Sequence, residues 1–169
     1  MAERLELRRF RMLVMGSQIP FRDAYDFSRD RARKWIQRPY TVTHASQPEL
    51  PTIVGECASL PPGEWESFTE DVANSGVLDV QANPEYARFH QPTWYLEIEA
   101  KNGIKRVKSY GAGSMMQFSE GDDALVDVWA VSLAISAAEL IASRIPWSET
   151  LELQPVEPGP DFADMLAIR

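Results

Sequence analysis

The sequence predicts an α+β fold: an antiparallel sheet of about five strands packed on one long buried C-terminal helix over 122–145, with a second helix over 64–74. Three observations lead there. The run from Asp122 to Ile145 is mostly apolar and ends at Pro146. Trp94, Leu96, Ile98 and Ala100 alternate with Tyr95, Glu97, Glu99 and Lys101, and an Asn102-Gly103 pair follows. Shorter runs of strand character lie near 4–15, 40–44 and 52–60, separated by Gly, Pro and polar residues.

In the first run, Leu5 and Leu7 share one parity, whereas Phe10, Met12 and Val14 share the other. The change of phase at Arg8-Arg9 predicts a bulge inside a long strand. Gly16-Ser17 and Pro20 close it. The segment 21–38 reads as a basic excursion from the sheet. Ser28 would cap a short helix over 29–38, Pro39 would stop it, and Trp35 would be exposed. Tyr40–His44 and Thr52–Leu60 read as strands, with a polar, proline-marked connection over 46–51.

Pro61-Pro62-Gly63 opens the helix at Glu64, whose Trp65, Phe68 and Val72 fall on one face. Gly76 suits its C-terminal cap. Residues 83–92 read as a loop. The 94–101 strand turns at Asn102-Gly103, a pair that tolerates positive φ, and returns over 104–110. Ser119 and Asp122 are candidate caps of the long helix, Asp122, Asp123 and Asp127 suit its positive end, and Arg144 suits its negative end. That helix is apolar nearly all round, which predicts burial on several sides. Its row Ala130, Ala134, Ala138 and Ala142 admits close approach of another element, either the chain's own core or a second copy. Residues 1–146 thus read as one α+β domain and 147–169 as a proline-rich acidic arm. The arm holds an edge-strand candidate at 150–154 and a short helix candidate at 161–168 with Phe162, Met165 and Leu166.

The 169-residue chain has a net charge of −8, unevenly distributed. Residues 1–38 carry ten Arg/Lys against five Asp/Glu, net +5, and the remainder seven against twenty, net −13. The single Cys57 excludes a disulfide framework and a multi-cysteine zinc site. The charged start, Met1-Ala-Glu-Arg, does not read as a signal peptide, so a cytoplasmic protein is expected. Asp127 and Glu139 oppose a membrane span through the long helix.

No candidate chemistry outweighs its structural alternative. Glu99-Ala100-Lys101 with an acid upstream at Asp79 or Glu85 has the residue types of a magnesium nuclease, but it falls at a hairpin tip, where a salt-bridged strand face is the simpler account. Cys57 with His44 or His90 lacks an electropositive setting in the sequence, since Glu56 adjoins it. Gly111-Ala112-Gly113-Ser114 lacks the lysine of a phosphate loop, and acids follow it. Arg29–Arg38 with Trp35 suits nucleic acid in type, but the acidic remainder opposes such a partner.

The expectation is therefore a non-enzymatic protein-binding protein with no catalytic set, metal or cofactor. An immunity or inhibitor protein that neutralises a basic toxin or enzyme fits the charge, with one basic protein as partner. Contact residues would be Arg29, Arg33 and Trp35, then Glu97 and Glu99, then Glu120, Asp122 and Asp123, and Phe162 in the tail. The alternatives are a metal-dependent hydrolase or nuclease with a carboxylate site, and a structural subunit that self-associates through Ala130, Ala134 and Ala138.

Overall fold

The computed structural model describes residues 5–15, 22–37, 52–80, 92–110 and 123–152. They form one antiparallel sheet of seven strands and two α-helices. The strands are β1 (Leu7–Met15), β2 (Arg22–Ser28), β3 (Arg31–Gln37), β4 (Thr52–Cys57), β5 (Thr93–Ala100), β6 (Gly103–Tyr110) and β7 (Ser148–Glu152). The helices are α1 (Glu64–Ser75), followed by a 3-10 turn at Val77–Asp79, and α2 (Asp123–Arg144). The order across the sheet is β6-β5-β1-β2-β3-β4-β7.

β1 is therefore an interior strand, third of the seven between β5 and β2, and both of its faces are buried over Phe10–Val14. Phe10, Met12 and Val14 point toward the helices, while Arg11 and Leu13 are buried on the other side. The pairing with β5 shifts register between Leu7 and Arg9, where the sequence places a bulge. The extra residue lets Leu7 join Phe10 in the same core despite their opposite parity.

Both helices cover one face of the sheet, so the long helix shares that task rather than forming the whole second layer. Trp65, Phe68 and Val72 of α1 and Val131, Ala134, Ile135, Ala138 and Ile141 of α2 join Leu96, Ile98 and Val107 in a single core. Phe68 is its aromatic centre: it meets Phe10 edge-on at 5.1 Å and 82°, Phe27 at 5.7 Å and Trp65 at 5.8 Å. Gly63 (φ 83°) precedes α1 and Gly76 (φ 79°) follows it, both in the left-handed region, which for Gly76 is the conformation expected of a glycine at the C-terminal cap. A smaller cluster of Leu13, Ala24, Trp35 and Tyr95 lies on the opposite face.

The structure corrects several expectations. The sheet has seven strands, not about five. No helix occupies 31–37 within the basic segment: that stretch is β3, paired with β2 and β4 in the middle of the sheet. Ser28 caps no helix there. Its hydroxyl donates to the Arg31 carbonyl at 3.1 Å across the turn Arg29-Asp30. Trp35 is buried rather than exposed. The β5–β6 hairpin forms as expected, but Lys101-Asn102 makes the turn and Gly103, with φ 138°, already pairs with Ala100. β4 ends at Cys57 rather than Leu60. The edge strand in the tail is β7, two residues earlier than expected, and it belongs to the same sheet through β4. The expected strand at 40–44, the caps at Ser119 and Asp122 and the helix at 161–168 lie outside the described residues.

Candidate functional site

On the face of the sheet away from α1 and α2, the register places charges side by side. Arg106, Glu97, Arg11, Asp26, Arg33 and Glu56 are successive cross-strand neighbours from β6 to β4, alternating in sign. Arg11 and Glu97 are both buried and ion-paired, and Arg106 Nε donates to the second Glu97 oxygen at 2.8 Å. Burial alone would raise the Glu97 carboxyl, but its hydrogen bonds to Arg11 and Arg106, aided by their charges, outweigh that and hold it below its ordinary 4.5. Arg9 Nε donates to Asp26 at 2.8 Å, and Arg33 and Arg31 lie 3.0 and 3.1 Å from Glu56. These groups satisfy one another, so the row is a structural ladder with little charge left to recruit a partner.

The expected contact residues are thus divided. Arg33, Trp35, Glu97 and Glu99 belong to this face, with Glu99 opposite Arg9. Arg29 sits at the β2–β3 turn, 3.2 Å from Glu66 of α1 on the helix side. Asp123 opens α2. Glu120, Asp122 and Phe162 lie outside the described residues, as does the Asp123 side chain.

Lys101 of the nuclease-like triplet pairs with Glu6 at 3.3 Å. Among the described residues there is no group of three or more His, Cys, Asp or Glu that could hold a metal ion. Cys57 is buried, its Sγ donating to the Ser59 carbonyl at 2.8 Å, while His44, His90 and 111–114 lie outside the described residues. No described helix is long and apolar enough to cross a membrane.

The most unusual surface is the outer side of α2. The 4-3-4-3 spacing of 129, 133, 136, 140 and 143 puts these residues on one helical stripe. Trp129, Leu133 and Leu140 there are 50%, 39% and 44% exposed. The helix is apolar nearly all round, but its partners cover only the opposite side. Ala130, Ala134 and Ala138 point into that covered side and are buried in the chain's own core. The alanine row therefore offers no surface for a dimer seam.

Each flank of the stripe carries a carboxylate, Asp71 on one and Glu139 on the other. On one, a cavity of about 270 Å³ opens between α1 and α2, lined by Asp71, Asn74, Leu133, Ser136 and Leu140 among others. α1 exposes Glu66, Glu70 and Asp71 and contains no basic residue. Glu70 and Asp71 form no ion pair among the described residues. On the other flank, a cleft of about 340 Å³ is lined by Tyr25, Lys34, Glu139, Ala142, Ser143 and Trp147. Glu139 is an exposed residue whose carboxyl is partly desolvated against the cleft, and this partial desolvation raises it above 4.5.

Trp129, Leu133 and Leu140 were missed because the sequence left only a narrow polar stripe of α2, Ser132, Ser136, Glu139 and Ser143, outside the apolar circumference expected to be buried. The available signal was the helix itself: one side of a sheet and one neighbouring helix cannot cover an all-apolar cylinder. A scan against protein-family models finds no match, and a search of curated proteins finds no match either.

Proposed function

We propose that the chain is a non-enzymatic binding protein that holds one basic, amphipathic protein partner on the outer face of α2. A single observation carries this reading: Trp129, Leu133 and Leu140 are exposed together on one helical stripe, with Asp71 on one side and Glu139 on the other. Exposed aromatic and aliphatic side chains framed by carboxylates suit a partner that presents apolar residues among Lys and Arg. Apolar burial would supply affinity, while the acids would steer the approach. An inhibitor or immunity protein that neutralises a basic toxin or enzyme is the function class this arrangement supports best, since such proteins bind by surface complementarity and need no catalytic group of their own.

The test is affinity capture from the native host at low and high salt, using the wild-type chain and Leu133→Arg. One stoichiometric basic protein should be retained by the wild type, released by salt and lost with the variant. Equal capture by both chains, or salt-independent capture, would refute the proposed surface.

A further inference from the structure

We propose that the cleft between the C-terminal turns of α2 and strands β2 and β3 is a seat for one arginine side chain, presented by the basic partner; as to its source, the inference rests on the function proposed above. The cleft has about 340 Å³, roughly ten times the volume a water occupies in the liquid, so a full side chain can enter. Two aromatic residues, Tyr25 and Trp147, and two charged ones, Lys34 and Glu139, line it.

The charges are unequal in commitment. Lys34 is buried, its ammonium is ion-paired with Glu149 of β7, and the same ammonium stands 4.9 Å from the centre of the Trp147 ring. Glu149 thus neutralises it. Trp147 is itself fixed, because its Nε1 donates to the Ala142 carbonyl at 2.8 Å. Tyr25 is braced by stacking on Phe27 at 5.9 Å. Glu139 is different: it forms no ion pair among the described residues, and it is the one charge in the cleft without a counter-ion.

A carboxylate beside two held aromatic rings is a receptor for a cation, and the planar guanidinium suits it better than an ammonium. It can pair with the carboxylate along one edge and lie against a ring with its face. An anion would meet Glu139 with nothing uncommitted to offset it. The seat also adjoins the α2 stripe, since Glu139 and Ser143 are one residue before and three residues after Leu140. A partner resting on Leu133 and Leu140 could therefore place one arginine here without a second contact region.

The experiment uses the full chain and N-acetyl-L-arginine amide as probe, followed by the indole N–H signals in two-dimensional NMR; Trp147→Phe identifies the Trp147 signal. Saturable movement of that signal is expected, with no such movement for the norleucine amide or for sodium chloride at equal ionic strength. Glu139→Gln, a change at an exposed position, should weaken probe binding about fivefold. No saturable shift, an equal response to the norleucine amide, or full binding by Glu139→Gln overturns the seat. A failed titration beside a successful capture experiment rejects the seat and keeps the docking face. A successful titration without a captured partner does the reverse.

Discussion

Lys34 crosses Gly55. The two are directly opposite in the β3–β4 ladder, and the lysine side chain runs over the bare glycine to reach Glu149, which is opposite Gly55 on β7. A Cβ at Gly55 would lie 2.8 Å from Lys34 Cγ and closer still to Cε. The absence of one side chain thus opens the path of another.

Gly55→Ala should destabilise the chain by about 1–3 kcal/mol, because the added methyl overpacks against a buried side chain held by an ion pair and a ring. With Lys34→Ala in the background the same change should cost much less, since the occupant of the path is gone. Denaturant unfolding of the four proteins in a double-mutant cycle measures the coupling.

Glu97→Ala should cost about 3–5 kcal/mol, because it removes a buried carboxylate that holds both Arg11 and Arg106. The pH dependence has a definite sign. The folded carboxyl titrates below its ordinary 4.5, so its contribution is complete above that pH and is lost as pH falls through the folded value. Melting curves of wild type and Glu97→Gln should differ at neutral pH and converge in acid.

Glu139 has the opposite sign. Its folded carboxyl titrates above 4.5, so the stability linked to its neutral form is complete below that pH and is lost as pH rises through the folded value. Glu139→Gln should melt slightly higher than wild type at neutral pH and no higher in acid. A lower melting temperature at neutral pH would show that the carboxylate has a stabilising partner.

Leu133→Arg and Trp129→Arg should cost no more than about 1–2 kcal/mol, because each side chain is only half covered and the long arginine side chain can reach solvent. Phe68→Ala, in α1 and wholly buried among Phe10, Phe27 and Trp65, should cost about 3–5 kcal/mol. Thermal unfolding of the three variants separates a surface that binds from a core that folds.

The elements legible in the sequence are those whose signals are local. The bulge after Leu7, the α1 face of Trp65, Phe68 and Val72, the cap at Gly76 and the β5–β6 hairpin all follow from neighbours a few residues apart. β2 and β3 were not legible, because the charges of Asp26, Arg33 and Lys34 mask their alternation. What neutralises those charges is remote: Arg11 finds Glu97 86 residues away, and Lys34 finds Glu149 115 residues away. The acidity around the proposed docking face was readable from the charge balance. Its position was not, since exposure of Leu133 depends on which side of α2 the sheet and α1 leave open.

The sheet order has a consequence for biosynthesis. Strands β1 to β4 are successive neighbours, so this meander can form as soon as it leaves the ribosome, with a bare edge at each end. The β1 edge is covered when β5 arrives. The β4 edge waits much longer, because Thr52 pairs with Glu152. Throughout that interval the nascent chain carries an unpaired strand that can template pairing with a neighbouring chain on the same polysome. The five-residue strand β7 is therefore a latch, and a chain released before Ser148 should be prone to aggregate through β4 even with every core residue of the meander present.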